Sequence, residues 1–225
     1  MSFAFSRRAF LTGASALGAT TLVAGCATNS AGTSSGDAAI KFDGEHQAGI
    51  TTAQQDRMHF AAFNVVTKER SELEELLKKW TAMARRMTRG ETTVDEAIED
   101  VGQHSVPKDT GEAYDLEPAN LTITIGFGPS LFDNRFGLAS ARPKELKDLP
   151  KFSGDMLVDK LCGGDIAIQA CSDNPQVAFH AIRNLARAGS GVVEYKWSQL
   201  GFGHATATTR GQQTPRNLFG FKDGT

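Results

Sequence analysis

The segment Gly164–Ser198, G-D-I-A-I-Q-A-C-S-D-N-P-Q-V-A-F-H-A-I-R-N-L-A-R-A-G-S-G-V-V-E-Y-K-W-S, decides the fold. Gly164–Cys171 is an apolar run of strand length. Asn174-Pro175 opens a helix, with asparagine as cap and proline at the first helical position, where a missing N–H is no loss. Val177, Ala178, Ala181, Ile182 and Leu185 recur at helical spacing and form one inward row, and Gly189 ends the helix. His180 stands one position before Ala181 and reads as structural. Val192–Ser198 is a strand again, and its alternation assigns Val193, Tyr195 and Trp197 to one face.

The upstream half has the same parts. Met58–Thr67, M-H-F-A-A-F-N-V-V-T, reads as a central strand, and His59 inside it as a satisfied core histidine. Ser71–Arg89 is the clearest helix, with Ser71 and Glu74 at capping-box spacing. Leu73, Leu76, Leu77, Trp80, Met83, Ala84 and Met87 make its apolar stripe. Arg85, Arg86 and Arg89 read as a solvated helix end, and Gly90 stops the helix. Thr93–Val101 is assigned a short helix. Gly102–Ala119 is polar and loop-like, with His104 exposed. Leu121–Phe127 alternates as a half-buried strand, and Arg142–Gly154 is a proline-punctuated surface excursion. The order is strand, helix, strand, strand, helix, strand. That pattern predicts an α+β, ferredoxin-like domain: an antiparallel sheet with helices on one face.

The chain has 225 residues and a formal net charge of −2. With no basic run beyond the N-terminus, nothing points to nucleic acid. Cysteine is sparse. Cys162 and Cys171 flank an extended segment that keeps them apart, so they read as two unpaired thiols. Tyr195, Trp80 and Trp197 read as core packing, whereas Tyr114 stays open as a residue that could relay electrons at the surface. At the N-terminus, Ser6–Leu11 reads as a twin-arginine export signal, followed by an apolar stretch too short for a good membrane span. Val23-Ala24-Gly25-Cys26 has the form of a lipobox, which would acylate Cys26 and anchor the protein. The alternative is cleavage nearby and a soluble secreted product. Either route places the protein outside the cytoplasm, periplasmic or at the cell surface. The expected organisation is a leader over 1–26, a Gly/Ser/Ala/Thr-rich tether over 27–49, the ferredoxin-like domain over 50–213 and a distinct loop over 214–225.

That last loop ends N-L-F-G-F-K-D-G-T, Asn217–Thr225. It holds one carboxylate, Asp223, between Gly220 and Gly224. Glycines at both positions predict a tight turn with positive φ, able to bring main-chain atoms and one acid against a large flat ligand. A plain solvated turn is the alternative.

T-P-R-N-L-F-G-F-K-D-G-T, Thr214–Thr225, resembles the signature of dye-decolorising peroxidases, with Gly220, Asp223 and Gly224 in the fixed positions of G-x-x-D-G. Gly128–Leu138, Gly163–Gln169, Pro175–Leu185 and Trp197–Phe202 also resemble family segments, in the family's order. The nearest branch is the exported bacterial deferrochelatase/peroxidase one. The resemblance implies two tandem ferredoxin-like domains, with haem b held mainly by the second. It implies Asp223 as the distal acid–base, Gly224 and Thr225 as haem contacts and Phe221 as a neighbour. The family's proximal histidine and distal arginine follow this motif. None of His46, His59, His104, His180 or His204 is therefore assigned to iron, and the chain is expected to be the N-terminal portion of a longer protein. Hydrogen peroxide and a small aromatic reductant are the implied substrates. A haem-handling role with iron-uptake partners, a non-catalytic lipid-anchored binding module and a homo-oligomer stay open.

Overall fold

In the computed structural model, which describes residues 39–95, 104, 106–202 and 219–222, the central strand is β1, Arg57–Val65. It is followed by α1 (Arg70–Met87), β2 (Thr122–Phe127), β3 (Ile166–Ser172), α2 (Pro175–Ala188) and β4 (Val193–Phe202). The strands form one sheet in the order β2-β3-β1-β4, and every neighbouring pair is antiparallel. The apolar stripes of both helices share one core with Ala61, Phe63, Val65, Ile123, Ile166, Ile168 and Ala170 of the sheet. Trp80 is fully buried there. Its ring tilts against Phe63, and its Nε1–H donates to the Leu185 carbonyl at 2.7 Å, joining α1 to α2. This is the ferredoxin-like arrangement that the element order predicts.

The second helix is capped as its sequence dictates: Asn174 Oδ1 accepts the Gln176 N–H at 2.9 Å, and Gly189 closes the other end. The first helix is not. It begins at Arg70, after Glu69, and no side chain caps it. Ser71 therefore lies inside the helix, and Glu74 is taken by Arg70 at 2.7 Å. Thr67 Oγ1 instead accepts the Glu69 N–H at 3.0 Å. At the other end Arg85 and Arg89 are exposed, as a solvated helix end predicts, and all three arginines are also engaged. Arg85 grips Asp43 with two bonds of 2.8 Å, Arg86 donates to the carbonyls of Thr92 and Val94, and Arg89 pairs with Glu91. Guanidinium groups offer several donors in a fixed fork, and here they tie neighbouring chain segments to the helix end.

Regular alternation fails along β4. The register shifts between Ala62 and Phe63, so Tyr195 stands opposite Phe63 while Trp197 stands opposite Ala62. A bulge carries one unopposed residue, here Lys196, and moves the following side chains to the other face. Tyr195 packs edge-on against Phe63 on the helix side, and Trp197 stacks on Phe60 across the sheet. Because β4 is an edge strand, Tyr195 remains 47% exposed and is not a core residue. Packing against the domain starts ahead of Ile50. Ala48 is buried, its carbonyl accepts Thr124 Oγ1 at 2.8 Å, and Gln47 Oε1 accepts the Ile125 N–H at 2.7 Å. Thr93–Asp95 is not helical, and the rest of the helix expected there lies outside the described residues. No helix among the described residues is long and apolar enough to cross a membrane.

Candidate functional site

Asp165 stands just ahead of β3, in the Gly163-Gly164-Asp165 segment, and is 4% exposed. Its carboxylate accepts the Val65 N–H at 2.9 Å, Ser130 Oγ at 2.6 Å, and Arg135 Nη1 and Nη2 at 3.1 and 3.0 Å. Its main chain is held too: Asp165 N–H donates to Phe63 O, and Gly128 N–H donates to Asp165 O, both at 2.8 Å. Glycine is required here, since a Cβ on Gly128 would lie 2.1 Å from the Gly164 carbonyl oxygen, and Gly164 itself has φ +143°. Burial pushes the Asp165 pKa up. The bonds from Arg135, Ser130 and Val65 outweigh it and hold the carboxyl below the usual carboxylate range. Three segments meet at this acid: the end of β1, Gly128–Leu138 and the start of β3. The connection over 139–162 leaves and returns through this anchored base. It carries Leu149, Phe152, Met156, Leu157 and Leu161, each more than half exposed.

A second buried acid holds the loop between α1 and β2. Asp109 is 2% exposed. Its Oδ1 lies 2.8 Å from His180 Nε2 and accepts the Gly111 N–H at 2.7 Å, while Oδ2 accepts the Thr93 N–H at 2.8 Å. Burial again pushes upward, and the bonds from His180, Thr93 and Gly111 reverse it, leaving Asp109 far below the usual range. Asn184 exchanges bonds with Thr110, Arg183 and Gln176 reach Glu112, and Arg187 reaches the Pro107 carbonyl. One polar side of α2 thus carries the loop, and His180 is structural, as its position on the helix indicates.

The histidines divide clearly. His46 and His104 are exposed, and His204 lies outside the described residues. His59 is buried, but it is not satisfied as expected: its Nδ1 has no hydrogen-bond partner. The ring stacks on Phe179, a partner with no polar group to offer, and burial lowers the imidazole's pKa. Cys162 and Cys171 are both free thiols. Among the described residues no group of three or more His, Cys, Asp or Glu side chains could hold a metal.

Of the C-terminal loop, Phe219–Lys222 is described, while Asp223, Gly224, Thr225 and the leader cysteine Cys26 lie outside the described residues. The chain turns at Phe219-Gly220, and Gly220 has φ +85°, the positive dihedral that glycine at this position predicts. Phe219 and Phe221 are 88% and 70% exposed. This loop is legible in the sequence, whereas Asp165, Arg135 and Asp109 carry no local signal of their roles. The first two stand inside segments quoted for the family resemblance, whereas nothing in the sequence around Asp109 distinguishes it from other loop acids.

A β2-β3-β1-β4 antiparallel sheet with two helices on one face defines a ferredoxin-like α+β domain. The family model described as "Dyp-type peroxidase, N-terminal" matches residues 47–203, and the chain belongs to that family. It is 39% identical over 234 residues to a deferrochelatase of Escherichia coli O6:K15:H31, covering 98% of this chain and 53% of the relative. It is 40% identical over 188 residues to the deferrochelatase of Escherichia coli K12, covering 82% of this chain and 43% of the relative. The crystal structure of a DyP-type peroxidase from Streptomyces coelicolor superposes with a TM-score of 0.74 at 38% identity, covering 85% of this chain and 48% of that one. Ferric DtpA from Streptomyces lividans gives the same values. The chain spans about half the length of the curated relatives it matches.

Proposed function

We propose that this chain is the part of a haem-dependent, dye-decolorising-type peroxidase that carries the distal acid. The protein would reduce hydrogen peroxide while oxidising dye-like or phenolic substrates. The observation that carries the reading is the family match over 47–203, followed by G-x-x-D-G at Gly220–Gly224 with Gly220 already in a positive φ. Bound haem b would supply the redox centre for peroxide reduction. The chain's own contribution is Asp223, which takes a proton from one peroxide oxygen and returns it to the departing one. Phe221, Gly224 and Thr225 would hold the macrocycle. Partial burial against it would raise the Asp223 pKa toward an acidic working range. The axial histidine and the distal arginine are assigned to a second half of the kind the longer relatives possess. The apolar side chains exposed along 149–161 are consistent with such a half covering them.

Asp223→Asn is the test. Turnover in the intact protein should fall by about 10²–10⁴-fold while haem affinity changes little. Surviving turnover would remove Asp223 from the acid–base role.

The name carried by the curated relatives favours a second reading, in which the protein releases iron from haem and Asp223 binds rather than catalyses. Iron-free porphyrin as the product, with haem affinity weakened in Asp223→Asn, would select it. We also propose twin-arginine export and anchoring through acylated Cys26. Cys26→Ser should then move the protein from the membrane fraction to the soluble one.

A further inference from the structure

Two histidines are buried among the described residues, and they differ. His180 lies 2.8 Å from Asp109, whereas His59, 6% exposed, has no hydrogen-bond partner at Nδ1. His59 shares the helix side of β1 with Ala61 and Phe63, and it stands opposite Ala170 of β3 and Leu200 of β4. Its ring stacks on Phe179 of α2, with 5.8 Å between centroids. Phe179 and Leu200 are 42% and 65% exposed, so the imidazole is covered by two apolar side chains that themselves border solvent.

No carboxylate balances a charge at this place. Along β1 the nearest residue on the same face is Arg57, itself a cation. The neighbouring positions of β3 are Ile168 and Ser172, and those of β4 are Ser198 and Phe202. On α2, Gln176 and Arg183 stand one turn before and after Phe179, and both reach Glu112, whose charge Arg183 takes up. A neutral imidazole can leave Nδ1 bare and carry its proton on Nε2. An imidazolium cannot: Nδ1 becomes a buried donor with nothing to accept from it, on a charge removed from water. The Phe179 face attracts a cation weakly and does not replace the missing acceptor.

We propose that proton uptake by His59 is an acid switch that loosens the first turns of α2 and the end of β4 from the sheet, as the imidazolium turns outward past Phe179 and Leu200. β4 ends at Phe202, two residues beyond Leu200, and the chain runs on from there toward the Gly220 turn. The switch therefore acts on the anchor of that connection, and it follows from the fold alone, without the haem reading. Burial lowers the His59 pKa, in line with this geometry. As pH falls below about 6.5, the unfolded or opened chain takes up the proton first. Stability is then lost until the folded imidazole titrates.

The test is amide hydrogen exchange of the intact protein at pH 7 and pH 5, corrected for the intrinsic rate, with the His59 ring signal followed by NMR. Protection at Phe179–Arg183 and Ser198–Phe202 should fall by up to about 25-fold, the limit that proton uptake sets between these pH values, while α1 keeps its protection. His59→Leu should abolish the pH-dependent loss. His59→Gln, which is also uncharged at both pH values, should do the same and keeps the test decisive if the leucine variant does not fold. Unchanged protection in the parent at pH 5 would overturn the proposal, as would a loss that persists in both variants. A loss that maps instead to Thr93, Thr110 and Gly111 would assign the acid response to His180 and overturn it too.

Discussion

Asp165 and Asp109 meet the same physical problem with different partners. Each is a carboxylate buried in a connecting segment, and each is held below its ordinary pKa against the effect of burial. Asp165 is neutralised by Arg135, which stays charged at any working pH, and it joins three segments at one end of the sheet. Asp109 is paired with the imidazole of His180 at 2.8 Å, and it fastens one loop to one helix. The first knot fixes the base from which the long apolar excursion projects. The second holds the loop between α1 and β2 against α2.

The comparison breaks most sharply at Asp165. Asp165→Asn removes the counter-charge of a guanidinium and weakens the acceptors for Val65 and Ser130. Loss of one member of a buried pair costs about 3–5 kcal/mol, with the lower end expected because Arg135 is 38% exposed. A denaturation midpoint near that of the parent would show that the knot is dispensable. Both acids sit below their unfolded values, so their stabilisation is present above about pH 4 and is lost as pH falls through the folded values. The acid-side loss of stability should therefore flatten in Asp165→Asn.

Asp109→Asn should cost less, about 2 kcal/mol, because asparagine keeps one acceptor for the Thr93 or Gly111 N–H. Hydrogen exchange should quicken first at Thr93, Thr110 and Gly111. If exchange instead rises uniformly across the sheet, Asp109 supports the whole domain and the contrast with Asp165 is lost.

The smallest effects separate the two helix starts. Asn174→Ala should cost about 1 kcal/mol, whereas Ser71→Ala should stay within about 0.5 kcal/mol, since Ser71 caps nothing. Equal losses by thermal unfolding would mean that Ser71 caps α1 in solution.

These pairs also show where the sequence is informative. The α2 start could be read because Asn174-Pro175 leaves few alternatives. The α1 start could not, because Ser71 and Glu74 have the right spacing while Thr67 and Arg70 compete for the same groups. Strand order followed from the order of the elements, but the β4 bulge did not. A one-residue irregularity leaves no mark in the hydrophobic alternation, and it moves Trp197 to the opposite face from Tyr195. The Gly163-Gly164-Asp165 and Gly128–Leu138 segments could be recognised individually. Their meeting through Arg135 depends on residues 30 positions apart, which local patterning does not encode. Asp109 lay in a stretch legible only as a polar loop. At the C-terminal loop, the turn at Gly220 was legible from glycine alone.

The most direct measurement is a haem titration of the intact protein, read in the visible absorbance. Stoichiometric binding with a Soret band is expected, retained in Asp223→Asn while peroxide turnover collapses. An intact protein that stays colourless with haem, or a variant that turns over as fast as its parent, would contradict it.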